Sequence, residues 1–189
     1  MMERSVPDMS GRRRRNAALA LLGSSVGLDL ILAALGYGGF RINLTPSQPI
    51  GIWRIVPEGR PVGHGDVVFA CPPMNPVMIE ARRRGYLRSG LCPGGVAPVI
   101  KTVVAVAGQS VSIGEVIVID GGVLAHSRLL GSDVKGRSLA ADPGGVLPAG
   151  FVHLHSDYPG SFDSRYFGPV ARTNILGRAQ EVWTFEVDP

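Results

Sequence analysis

Three short stretches of this chain carry the residue types that acyl-transfer chemistry needs. The first is Asn43-Leu-Thr-Pro-Ser47-Gln-Pro-Ile-Gly51-Ile-Trp53. Pro46 and Pro49 flank the serine and preset the backbone on either side, so Ser47 sits in a restricted turn. Attack on a carbonyl depends on near-attack geometry, which a mobile loop does not hold. On composition alone the same stretch also reads as an ordinary Ser/Pro linker. The second stretch is Val99-Ile-Lys101-Thr-Val-Val-Ala-Val106, followed by Ala107-Gly108. Alternation along a strand puts Lys101 on one face with Val99, Val103 and Ala105. Desolvation on such a face disfavours the ammonium and lowers its pKa, which makes a lysine a general base near neutral pH. The structural alternative is a lysine guarding an edge strand against aggregation. The third stretch runs from His155 to Val170 and contains Asp163-Ser164-Arg165-Tyr166 before a Gly-Pro stop. A loop so rich in small polar residues can hydrogen-bond a neighbouring side chain and hold it. It can also be a plain surface turn with a weak Asp163–Arg165 ion pair.

The elements that must position these residues read as strands. Beyond residue 40, short alternating apolar runs are separated by Gly, Pro, Asp and Asn, the pattern of a mainly β domain. The expected strands are Gly51–Val56, Asp66–Ala70, Val99–Val106, Ser110–Ile113, Val116–Ile119, Val123–His126, Phe151–His155 and Ala179–Phe185. Asp120-Gly121-Gly122 between two of them predicts a tight hairpin. One helix is expected around Val77–Tyr86, in an excursion from the β core bracketed by Cys71 and Cys92. In an exported domain this even pair is most simply one disulfide. It would close a loop of about 20 residues and contribute roughly 3 kcal/mol. The two cysteines lack the His or acidic partners of a zinc site, and they do not form a Cys-x-x-Cys redox pair. Ser127–Pro148, rich in Gly, Ser and Asp, reads as a second surface excursion.

The chain has 189 residues, 45% of them hydrophobic, with 26 Gly, 15 Pro and a formal charge of +4. Much of the apolar content lies between Asn16 and Phe40, a run free of Lys and Arg that is long enough for a tilted helix to cross a ~30 Å hydrocarbon core. Arg12–Arg15 stand just before it, so the positive-inside rule keeps the N-terminus cytoplasmic and exports the chain beyond Phe40. A cleaved signal peptide is the competing reading, disfavoured by the length of the run and by the poor cleavage site at Tyr37-Gly38-Gly39-Phe40. The expected organisation is a basic cytoplasmic tail over 1–15, without fixed structure over Met1–Gly11, then an anchor over 16–40 and a periplasmic domain over 41–189. Asp29, inside the apolar run, costs roughly 2.5–3.5 kcal/mol on insertion scales. It either marks a helix–helix contact or is tolerated in a long span. The basic residues are clustered and not interleaved with aromatics, so the positive charge points to membrane topology and away from nucleic acid.

Taken in order behind one N-terminal anchor, the three stretches resemble the motifs of bacterial type I signal peptidases. They are more closely similar to those of the TraF-type peptidases of conjugative transfer, whose nucleophile segment resembles Asn43-x-Thr45-x-Ser47-x-Pro49-x-Gly51-x-Trp53. Gly65-Asp66-Val-Val also fits, and the resemblance covers about Arg41 to Phe185. It implies a mainly β, signal-peptidase-like barrel or sandwich and a serine endopeptidase with a Ser/Lys dyad. Ser47 would be the nucleophile and Lys101 the base. The Ser47 N–H and the Thr45 hydroxyl would form the oxyanion hole. Asp163 would orient Lys101 or its surroundings, with Arg165 and Ser164 supporting the loop. The implied substrate is membrane-held, a pilin precursor that is cut and in some systems cyclised. The implied setting is the bacterial inner membrane, beside other components of a conjugation system. Neither cofactor nor metal is expected. Alternatives are a general type I signal peptidase, a non-catalytic component of a secretion machine, and a self-cleaving repressor-type domain, which the anchor argues against. His64, His126, His153 and His155 could supply a histidine-based triad, but no Gly-x-Ser-x-Gly elbow accompanies them.

Overall fold

The computed structural model describes residues 9–57 and 59–186. It divides into two compact units, one ending at Phe40 and the other beginning at Arg41. The first is built on helix α1, Met9–Tyr37, whose 27 residues from Gly11 to Tyr37 are long and apolar enough to cross a membrane. Helix already covers Met9–Gly11, which the sequence places in an unstructured tail; the rest of that tail, residues 1–8, lies outside the described residues.

The second unit is mainly β. In chain order the elements after α1 are β1 (Phe40–Asn43), whose first residue closes the first unit, β2 (Ile50–Val56), β3 (Val67–Ala70), helix α2 (Pro76–Arg84), β4 (Ser89–Cys92), β5 (Val99–Val106), β6 (Ser110–Ile113), β7 (Ile117–Ile119), β8 (Gly122–Val123), β9 (Gly145–Val146), β10 (Phe151–His155), the single-turn helix α3 (Ser164–Phe167), β11 (Val170–Ala171) and β12 (Ile175–Phe185). A seven-stranded sheet is ordered β1-β2-β12-β3-β5-β10-β11, and a four-stranded sheet β8-β7-β6-β9. The near-continuous apolar run of β5 follows from its place. It is buried between β3, with Val68 opposite Lys101, and β10. Val68, Val103, Val152, Leu154 and Phe167 form the largest core cluster. Ala105 joins a second one with Val111, Ile117 and Leu147 from the smaller sheet and its approach. Trp53, Phe69 and Ile100 form a third.

Local chemistry explains the punctuation. Asp120 and Gly121 both have positive φ (50° and 84°), the type I′ geometry that joins β7 to β8 in a two-residue turn. The neighbouring strand stops at Val123, short of the expected His126, because His126 itself turns left-handed at φ 50°. Helix α2 starts with the Asn75 side chain accepting from Met78 N and Pro76 in the first turn; it ends at left-handed Gly85, with Arg82–Arg84 over its negative end. Cys71 and Cys92 are joined as a disulfide that brackets this helix.

Candidate active site

Alternate residues of the Ser47 segment each have a structural task. Asn43, buried at the end of β1, donates from Nδ2 to the carbonyls of Thr45 (2.9 Å), Gln48 (2.9 Å) and Pro49 (3.0 Å). Its Oδ1 accepts from Thr45 N at 3.1 Å and from Thr45 Oγ1 at 2.8 Å. Pro49 O also accepts from Nε1 of the buried Trp53 at 2.9 Å. Gly51, at φ 146°, lies so close to β12 that a Cβ would collide with Trp183 O. A side chain is therefore excluded at that position. Thus the spacing Asn43-x-Thr45-x-Ser47-x-Pro49-x-Gly51-x-Trp53 describes a loop tied at both ends around the serine.

Lys101 is 4% exposed. Its Nζ donates to Ser161 Oγ at 2.8 Å, and Ser47 Oγ reaches the same oxygen at 3.4 Å. Burial pushes the lysine pKa down to about 8; the Asp163 carboxylate works against that shift and the Arg165 charge adds to it. The amine is held by a neutral hydroxyl, with no carboxylate hydrogen-bonded to it among the described residues.

Asp163 and Arg165 form the framework of this corner, both fully buried. Arg165 Nε and Nη2 grip the two carboxylate oxygens at 2.8 and 2.9 Å. Nη2 also reaches Ser161 O at 3.0 Å and Nη1 reaches Arg128 O at 2.8 Å. Asp163 caps α3 by accepting from Arg165 N, and Ser164 Oγ accepts from Leu154 N at 3.0 Å. Burial pushes the Asp163 carboxyl up. The approach of His155, the bidentate bond and charge of Arg165 and the charge of Lys101 outweigh it and hold the group well below the usual carboxylate range. His155 Nδ1 is 3.4 Å from Asp163 Oδ2, an electrostatic neighbour beyond good hydrogen-bond length. The weak surface pair weighed from sequence is therefore a buried one. Among the described residues its further side-chain hydrogen bonds join Ser161 O, Arg128 O and Ser156 N, and none joins Lys101.

Ser161 is not distinguishable by sequence from the other hydroxyls of its segment. It is the residue that brings Ser47 and Lys101 to one point, across 114 and 60 residues of chain. Thr45 sits two residues before Ser47 as expected, with its hydroxyl proton directed at Asn43 Oδ1. Of the histidines, His153 is buried with neither ring nitrogen hydrogen-bonded among the described residues, and burial pushes its pKa down to about 4. No histidine is hydrogen-bonded to Ser47 among the described residues. No group of three His, Cys, Asp or Glu among those residues could hold a metal ion.

Ser47, Lys101, Ser161 and Thr45 line a mostly apolar cleft of about 580 Å³. One wall comes from the disulfide-bracketed excursion through Tyr86, Leu87 and Arg88, and another from Leu130, Asp133, Val134 and Leu139. The two excursions are clasped together. Tyr86 Oη donates to Asp133 Oδ2 and Arg84 Nη1 to Ser138 O at 2.8 Å, while Leu130 N is tied to α3 through Tyr166 Oη at 3.0 Å.

Residues 16–184 match the family of signal peptidases, peptidase S26. The chain belongs to this family. Membership implies a serine peptidase of the signal-peptidase type, which suits a mainly β domain with a serine and a buried lysine on one cleft. The chain is also 49% identical over 180 residues to a probable conjugal transfer protein TraF of Sinorhizobium fredii (strain NBRC 101917 / NGR234), covering 94% of this chain and 96% of that one. A conjugal transfer protein TraF of Agrobacterium tumefaciens (strain 15955) is 51% identical over 92% of this chain and 98% of its own. A plasmid transfer protein TraF of Escherichia coli is 38% identical, with 84% and 92% covered. Within the S26 family the chain is therefore of the TraF type.

Proposed function

We propose that this S26 peptidase is a membrane-anchored endopeptidase that processes a pilin precursor of a conjugation system through a Ser47/Lys101 dyad. The observation that carries the reading is the shared contact at Ser161. A buried lysine of lowered pKa and the loop serine meet on one hydroxyl, inside an apolar cleft. Neutral Lys101 accepts the Ser47 proton as Oγ attacks the scissile carbonyl, giving an acyl-enzyme on Ser47. The protonated lysine then returns the proton to the leaving amine. Ser161 and the Asp163–Arg165 pair hold the amine and the loop in place. The Ser47 N–H pairs with no acceptor among the described residues, so it is available to the oxyanion. The Thr45 hydroxyl joins it after turning from Asn43 Oδ1.

The Arg12–Arg15 cluster before the apolar helix supports a single-pass anchor with a cytoplasmic N-terminus and a periplasmic catalytic domain over 41–189. Few residues separate the helix end at Tyr37 from Ser47, which favours a substrate that is itself membrane-held. The names of the relatives, conjugal and plasmid transfer proteins, favour a pilin precursor over leader peptides in general. Water deacylates the enzyme to give hydrolysis, and an amino group of the substrate gives a cyclic or joined product.

The test is mass spectrometry of the pilin precursor co-expressed with wild type, Ser47→Ala and Lys101→Ala. The reading expects a shortened precursor with wild type alone, with a further loss of one water on cyclisation. Equal processing by both variants overturns the dyad and leaves a structural component of the transfer machine.

A further inference from the structure

We propose that Ser156 is a positioning residue for the nucleophile, holding the backbone of Ser47 in its reactive setting; this rests on Ser47 being the nucleophile. In Thr45–Pro49 every residue but one is restrained by proline chemistry. Pro46 and Pro49 have fixed φ, and Thr45 and Gln48 each precede a proline, which restricts them as well. Ser47 is the exception, so the residue that must be placed most accurately is the one the covalent chain leaves freest.

Side chains from elsewhere tie the loop by its carbonyls, and the division of labour is uneven. Asn43 Nδ2 reaches the carbonyls of Thr45, Gln48 and Pro49 but not that of Ser47. Ser47 O instead accepts from Ser156 Oγ at 2.5 Å, across 109 residues of chain. The direction of that hydroxyl is set by its surroundings. Ser156 is 1% exposed, its Oγ accepts from Tyr158 N at 3.2 Å, and its single proton goes to Ser47. Its own N–H donates to Asp163 Oδ2 at 3.2 Å. The buried Asp163–Arg165 pair thus reaches both halves of the site, Ser47 through Ser156 and the Lys101 partner through Ser161 O. Losing the Ser156 hydroxyl frees the Ser47–Gln48 peptide plane to turn while Asn43 still ties the carbonyls on either side, and the compensating change in φ of Ser47 moves Cβ and Oγ relative to the Ser161 oxygen.

The experiment uses the full chain in detergent with a purified pilin precursor, comparing wild type, Ser156→Ala, Ser156→Thr and, as control, Ser47→Ala. Misplacement of a reacting group by about 1 Å costs on the order of 100-fold, so Ser156→Ala is expected to lose about 10- to 100-fold in kcat with KM within about twofold. Threonine, which keeps the hydroxyl, restores most of it. Hydrogen exchange of residues 43–50, which needs no substrate, is expected to quicken at the Thr45 amide, which donates to Asn43 Oδ1 in the tied loop, in Ser156→Ala and not in Ser156→Thr. Should Ser156→Ala not fold, the near-isosteric Ser156→Cys replaces it and is expected to lose at least about 10-fold in kcat. Wild-type kcat and exchange in the alanine or cysteine variant overturn the proposal, as does a loss confined to KM. If Ser47→Ala processes the precursor like wild type, the dyad reading fails instead.

Discussion

If Lys101 is the base, as proposed, raising the pH from 7 to 9 should increase kcat/KM about tenfold and then leave it flat, because burial brings that lysine down to about 8. The neutral fraction of such a group is about 0.09 at pH 7, one half at pH 8 and about 0.9 at pH 9. A lysine at its ordinary 10.5 would be neutral in only about 3 molecules in 10,000 at pH 7. Its rate would still climb about 100-fold over the same interval, with no plateau. Burial of Lys101 therefore supplies roughly 300-fold more base at pH 7 than a solvated lysine would. The assay is initial cleavage of a purified precursor at subsaturating concentration across pH 6–10, since kcat/KM reports the free enzyme. Lys101→Arg, which keeps charge but cannot deprotonate, should lose on the order of 1,000-fold at every pH. A wild-type profile without a plateau by pH 9.5, or one independent of pH, would refute the reasoning.

Three other outcomes stem from the same network. Between about pH 8 and 10.5 the unfolded chain binds the Lys101 proton that the folded one has released, so stability rises with pH across that window. Below it the buried ammonium costs up to roughly 3 kcal/mol. Lys101→Met should therefore melt higher than wild type at pH 7 by scanning calorimetry, while losing activity. Asp163→Asn leaves the buried Arg165 uncompensated and should cost about 3–5 kcal/mol in urea unfolding. Because the Asp163 carboxyl is held below its usual value, its contribution is present above the ordinary carboxylate pKa and fades only as acid titrates the folded form. The double variant Cys71→Ala/Cys92→Ala opens a loop with a sequence separation of 21 and should cost about 3 kcal/mol. It also loosens the cleft wall that carries Tyr86, Leu87 and Arg88, so steady-state kinetics should show KM rising more than kcat falls.

Strands whose alternation spans a whole element were legible from the residues. Val99–Val106, Ser110–Ile113 and Phe151–His155 have the same bounds in the structure as in the sequence reading. β12 begins at Ile175 and not at the expected Ala179. Gly177, at φ 149°, interrupts the pattern, and the register slips there against β3. β1, β4, β9 and β11 are two to four residues long, too short to display a period. The candidate site was legible where backbone chemistry marks it, as with prolines around Ser47 and a lysine in an apolar run, two residues that the structure brings to one hydroxyl. Ser156 and Ser161 are hydrogen-bonded to partners 60 to 114 residues away, and nothing in the local pattern separates them from Ser164. The Tyr86–Asp133 clasp, across 47 residues, escaped for the same reason.

The central claim is that Ser47 carries the acyl group. Its most direct test is to mix wild type with precursor, quench in acid within the first turnover, and map the modified peptide by tandem mass spectrometry. The account predicts an ester on Ser47, absent in Ser47→Ala and strongly reduced in Lys101→Ala. An adduct on any other residue, or processing that continues in Ser47→Ala, would contradict it.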